Sequence, residues 1–147
     1  MAAELTVKPV QLWILNGADR KGMLAEALTP LVDAGANLQI VMGYRLPGEH
    51  GRAAIEVFPL EAGAQEAAAR KAGFDKSGTS CLRVDGDDRK GLGAEMARAL
   101  ADAGVSMAFH MTQVIGRKFT STIGFHSADD AAKATTAIQG LRKPAKK

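Results

Sequence analysis

Short apolar runs alternate with helical stripes along this chain, and the alternation sets the order of elements. Residues 1–7 read as a loose leader. Val10 to Leu15 (V-Q-L-W-I-L) is apolar and partly β-branched, the pattern of a strand buried on both faces. Asn16-Gly17-Ala18-Asp19 reads as a turn, with Asp19 as helix N-cap. Met23, Leu24, Ala27, Leu28, Leu31 and Val32 form an amphipathic stripe that Gly35 ends, and Pro30 inside it predicts a bend. From Ala36 to Arg45, Leu38, Ile40, Met42 and Tyr44 alternate with Asn37, Gln39 and Gly43, a strand with one face buried. Residues 46–51 make a loop. Ala53, Ile55 and Val57 form the inner face of a third strand stopped by Pro59, and Ala62 to Lys71 is helical, ended by Gly73.

The order then repeats. Cys81 to Val84 is a strand, and Leu92 to Ala103 a helix on the stripe Leu92, Met96 and Leu100. Val105 to Ile115 is a strand that turns at Gly116-Arg117 into Phe119–His126. Ser127 caps a last helix with Asp129 and Asp130 in its first turn, running to about Leu141. Each half is β-α-β-β-α, with helices on one side of an antiparallel sheet. Phe74 to Ser80 links the halves and can supply a closing strand to the first. The second half has only Arg142 to Lys147 after its helix, too little for a full closing strand.

The repetition is literal. Asp19-Arg20-Lys21-Gly22 recurs sixty-nine residues on as Asp88-Arg89-Lys90-Gly91, and each copy runs through Ala-Glu to Asp-Ala-Gly. An ungapped alignment of 19–42 on 88–111 gives 11 identities in 24 positions. A period of this length means two copies of one folding unit. We place the modules at 8–75 and 79–142. Units this small bury little surface alone, so pairing of the modules and a homodimer are expected.

Composition narrows the function. The apolar fraction of 46% and charged fraction of 24% are those of a globular protein. The net charge of +3 comes from Arg142, Lys143, Lys146 and Lys147; without them the body is slightly acidic. A nucleic-acid footprint should cluster on the fold, so the tail is a weak argument for such a partner. Cys81 is the single cysteine, which excludes an internal disulfide and fits a reducing cytoplasm. No apolar run approaches the length of a membrane span.

Catalytic constellations are missing. No Walker sequence, nucleophile elbow, Ser/His/Asp set or paired-carboxylate site is present, and Gly91-Leu92-Gly93 lacks the third glycine of a dinucleotide fingerprint. Strand parity places His110 and His126 opposite Phe109, Met111, Ile123 and Phe125, and a metal pair there lacks a third ligand. Neither enzyme activity, nor a metal, nor a cofactor is expected. The outer sheet faces carry Trp13, Phe58, Val41, Thr112, Thr120 and Thr122, with aromatics too scattered for RNA stacking; Trp13 and Phe58 fit dimer packing.

The segments Asp19-Arg20-Lys21-Gly22-Met23-Leu24…Ala34-Gly35-Ala36-Asn37-Leu38 and Asp88-Arg89-Lys90-Gly91-Leu92-Gly93…Ala103-Gly104-Val105-Ser106-Met107 resemble the ACT domain. The usual pattern there is a strand, Asp-x-Pro-Gly, and a helix beginning with Leu; lysine replaces the proline in both copies. The resemblance covers residues 8–141 as two tandem copies. It implies an α+β, ferredoxin-like βαββαβ fold. It also implies a non-catalytic regulatory protein that binds a free amino acid where modules meet.

A zwitterion needs donors for its carboxylate, which a helix N-terminus supplies, and acceptors for its ammonium. On this reading Gly22 and Gly91 admit the ligand, and the amides of Met23, Leu24, Leu92 and Gly93 donate. Asn16, Asp19 and Asn37 accept in the first copy, and Asp85, Asp88 and Ser106 in the second. Lys21 or Lys90 adds charge for an acidic ligand. A glycine here also serves plain helix–sheet packing, and an aspartate plain capping. The alternative function is a protein-interaction module that regulates an enzyme or transporter without a small ligand.

Overall fold

Two antiparallel four-stranded sheets carry the chain in a computed structural model that describes residues 5–141. The strands are β1 (Thr6–Val10), β2 (Trp13–Ala18), β3 (Ile40–Arg45), β4 (Arg52–Phe58), β5 (Asp75–Lys76), β6 (Ser80–Asp87), β7 (Met107–Ile115) and β8 (Lys118–Phe125). The helices are α1 (Met23–Asp33), α2 (Ala64–Ala72), α3 (Leu92–Asp102) and α4 (Ala128–Gln139). The fold is α+β, as the pattern predicts.

The first compact unit is Gln11–Gly78, with sheet order β3-β4-β2-β5. Its core gathers Trp13, Ile55 and Val57 from the sheet with Ala27 and Leu31 of α1, Ala69 of α2, and Phe74. The linker strand β5 pairs with β2 through Trp13↔Lys76 and Ile14↔Asp75, closing this sheet as expected. Arg70 and Lys76 lie over the Trp13 ring at 5.0 and 5.8 Å. Trp13 is 2% exposed, so the sequence reading that put it on an outer face is corrected: Trp13↔Val57 pairing sets both on the helix side.

The second unit contains Thr79 onward and also the chain up to Val10. Its sheet order is β1-β6-β8-β7, and β1 pairs along β6 from Thr6↔Asp85 to Val10↔Cys81. Thr6–Val10, which begins inside the expected leader, is therefore the missing closing strand of the second copy, and residues 8–10 belong to its sheet. Leu5 enters the core and Val7 packs against it, beside Leu82, Val84, Met96, Leu100, Phe119, Ile123 and Ile138. Pro9 is tolerated because β1 is an edge strand. The basic tail, residues 142–147, lies outside the described residues.

Other expectations are refined. The run Val10–Leu15 is broken at Gln11-Leu12, which separates β1 from β2. Asn16-Gly17-Ala18 is strand, held by pairing with Ala54, Ala53 and Arg52. The helices end as predicted: Gly35 N–H reaches Val32 O and Ala36 N–H reaches Leu31 O, and Gly104 and Val105 repeat this on Ala101 and Leu100. Ser127 caps α4 by accepting from Asp130 N–H at 3.1 Å. A bulge between Met107 and Phe109 shifts the register of β7. His110 therefore pairs with Ile123 and Thr112 with Ser121, on the helix side, while Phe109 and Met111 face out. That reverses the parity read from sequence for these four residues. Val41, paired with core Val57, likewise lies on the helix side, 42% exposed at the edge strand.

Candidate functional site

Each copy of the tetrapeptide makes the same backbone corner. Asp19 donates its N–H to Gly51 O at 2.9 Å, and Asp88 donates to Arg117 O at 2.8 Å. The N-cap position is taken by Gly22 and Gly91, each with φ of 84°, and neither helix has a side-chain cap. This corrects the assignment of Asp19 as the cap. The left-handed conformation is what requires glycine. Crowding is not the reason: an added Cβ at Gly22 would meet only Glu26 Oε1 at 3.8 Å, and at Gly91 nothing within 4 Å. The space above both corners is open.

The motif's arginine has a local task. Arg20 bonds Glu26 through both guanidinium ends, and Arg89 bonds the matching Glu95 through Nη1. The Arg20 hydrogen bond and charge hold the Glu26 carboxyl below its ordinary range. Lys21 and Lys90 are exposed.

At the first corner Met23 N–H is used by Arg20 O at 3.2 Å, so of the two expected donors Leu24 N–H is the one at the helix end without an intrahelical acceptor. A cavity of about 450 Å³ opens here between the start of α1 and edge strand β3, lined by Asp19, Gly22, Met23 and Leu24 together with Tyr44, Arg45 and Ile55. Arg45 Nε lies 2.7 Å from Asp19 Oδ2. Asn16 pairs with Ala54, which on its other side pairs with Tyr44, and all three lie on the face away from α1. Asn37 follows the far end of α1, about 16 Å of helix away from Gly22. These two are not brought to the corner.

The second corner differs in chemistry. Leu92 N–H is used by Arg89 O at 3.3 Å, leaving Gly93 as donor. Leu92 is buried, while Gly91, Gly93 and Asp88 are exposed. On the neighbouring strands His110 Nε2 meets Thr112 Oγ1 at 2.6 Å, and Thr112 Oγ1 meets Ser121 Oγ at 2.7 Å. Burial pushes the His110 imidazole below its usual pKa. Asp85 lies on the other sheet face, paired with Arg83 at 3.0 Å, in a separate cavity of about 640 Å³ with Asp87 and Lys118. Ser106 follows the far end of α3, as Asn37 follows α1.

Sequence reasoning missed Arg45, Tyr44 and Glu56. Glu56 is 3% exposed, between apolar neighbours, and accepts from Tyr44 Oη at 2.5 Å. Burial raises its pKa, and the Tyr44 bond opposes the rise. Among the described residues no group of three or more His, Cys, Asp or Glu could hold a metal ion, and no helix is long and apolar enough to cross a membrane.

No family model and no curated protein matches the sequence. Solved structures do match. Protein BT0572 from Bacteroides thetaiotaomicron is similar at a TM-score of 0.70 and 15% identity, over 92% of this chain and 90% of that one. The ligand-free regulatory subunit of aspartate kinase from Thermus thermophilus gives 0.58 and 16%, over 95% and 96%. The corresponding subunit from Thermus flavus gives 0.58 and 19%, over 97% and 98%. At these identities the likeness is one of fold. It is the fold the ACT resemblance implies, α+β with βαββαβ-type units.

Proposed function

We propose that this chain is a non-catalytic regulatory protein that binds a free amino acid at its strand–helix corners. The observation that carries the reading is the duplicated corner itself: two glycines with the same left-handed backbone, open space above each, and a helix N-terminus beside it. Unpaired N–H groups and the helix dipole suit a carboxylate, and Asp19 or Asp88 suits an ammonium. Ligand would favour one of two arrangements of the protein, acting through differential affinity. A homodimer, and a target enzyme or transporter, are the partners on this reading. The regulatory subunits of aspartate kinase among the fold neighbours support a regulatory role.

The test is a thermal-shift screen of the twenty amino acids at millimolar concentration. Stabilisation by a subset, lost when Gly22 or Gly91 carries a bulky residue, is expected. Flat melting temperatures across all twenty defeat the reading. The second reading, an interaction module without a ligand, draws on edge strand β7, where Met111, Val114 and Ile115 are 42, 50 and 66% exposed.

A further inference from the structure

The two corners descend from one sequence, yet the residues around them have diverged, and the divergence has a direction. Position for position, Leu24 becomes Gly93 and Arg45 becomes Val114 in the second copy. Across the ladder, Gly43 faces Ile55 in the first unit, and Thr112 faces Ser121 in the second. The first corner sets the Arg45 guanidinium against Asp19; the second has the hydrocarbon Val114 in that place.

The Asp19–Arg45 ion pair stands between two cavities. One is the 450 Å³ space beside α1; the other, about 560 Å³, lies in the β3–β4 hairpin loop, and Asp19 and Arg45 are the residues common to both linings. The Arg45 side chain is 86% exposed. Such an exposed pair adds little to stability, so opening it costs little. Its two charges are the complement of an α-amino acid: a guanidinium for the carboxylate, a carboxylate for the ammonium. A zwitterion inserted between them exchanges one exposed pair for two charge-assisted contacts. Its side chain then falls toward Met23 and Leu24, the latter 45% exposed, above buried Ile55. The remaining charged lining residue beside α1 is Arg20, which is already bound to Glu26. The cavity offers no second carboxylate for a basic side chain.

We infer that the Asp19–Arg45 pair opens to clasp a free α-amino acid with a neutral hydrocarbon side chain, and that the Gly22 corner rather than the Gly91 corner is the binding one. This rests on the amino-acid reading above and names its ligand class and its copy.

The experiment is calorimetric titration of the full chain with L-leucine, L-valine and L-lysine, and with 4-methylpentanoate and isopentylamine, which carry one charge of leucine each. Leucine or valine should bind, and lysine and the two single-charge analogues should bind at least about tenfold more weakly. Arg45→Val, which installs the second copy's residue, and Asp19→Asn should each weaken leucine about tenfold or more, and Arg45→Lys should recover part of the loss. Val32→Ala, at an exposed position in the last turn of α1, should leave leucine binding unchanged, and the wild type should take up one leucine per chain. Melting temperatures of the variants check folding. If Arg45→Val and Asp19→Asn both bind leucine as the wild type does, or lysine binds as well as leucine, this inference is overturned while the amino-acid reading stands. If no amino acid binds the wild type, both fall.

Discussion

Glycines two residues apart in the second corner have opposite needs. Gly91 holds φ at 84°, where any L side chain is strained, whereas Gly93 sits inside α3 with nothing within 4 Å of a new Cβ. Gly91→Ala should therefore destabilise by about 1–3 kcal/mol, and Gly93→Ala should stabilise by about 0.5–1 kcal/mol. Urea unfolding of the two variants checks both signs. Glu56 makes a second residue-level case. Burial lifts its folded pKa above the unfolded value of 4.5, so the folded chain holds the proton more tightly than the unfolded chain. Stability is lost as pH rises through the interval above 4.5. Gln at this position keeps an acceptor for Tyr44 and removes the buried charge. Glu56→Gln should raise the melting temperature at pH 7 and change it little at pH 4. A loss of stability at pH 7 would mean that the ionised carboxylate is needed there.

Among the elements, the helices follow one plan. Leu31 of α1 and Leu100 of α3 occupy matching positions, both 0% exposed, and each accepts the hydrogen bond that closes its helix end. Leu31→Ala or Leu100→Ala should cost about 2–5 kcal/mol, since a buried cavity remains. Val32→Ala, at a position 56% exposed, should stay within about 0.5 kcal/mol. Thermal melts of the three variants decide. Helices were the legible part of the sequence because stripe, glycine stop and serine cap are local signals. Strands were less legible because their partners are distant. Asn16-Gly17-Ala18 carries turn residues but is drawn into β2 by its ladder to β4, and a single bulge in β7 exchanged the faces of His110 and Phe109. The corner itself was legible through its repetition. Arg45 was not, because only the β3–β4 register brings the end of a distant edge strand to Asp19.

At the scale of the whole chain, the N-terminal strand changes what the duplication means. The first unit takes all of its strands, β2 to β5, from Gln11–Gly78. The second takes its edge strand from the far end of the sequence, and β1 covers β6 through five paired residues. Without β1 the backbone of β6 loses a row of partners, and the core loses Leu5, 8% exposed, and the cover of Val7. A buried leucine contributes about 1.5–3 kcal/mol, a large share of the stability of a unit this small. The two halves should therefore part company when cut. A fragment of residues 11–78 should melt cooperatively on its own. A fragment of residues 79–147 should not, until a peptide of residues 1–10 is added, whereupon circular dichroism should show a cooperative transition whose midpoint climbs with peptide concentration. A peptide with Leu5 and Val7 replaced by serine should fail to restore it. If the 79–147 fragment melts as sharply alone as with the peptide, β1 is an accessory to the second sheet and the duplicated unit is complete without it.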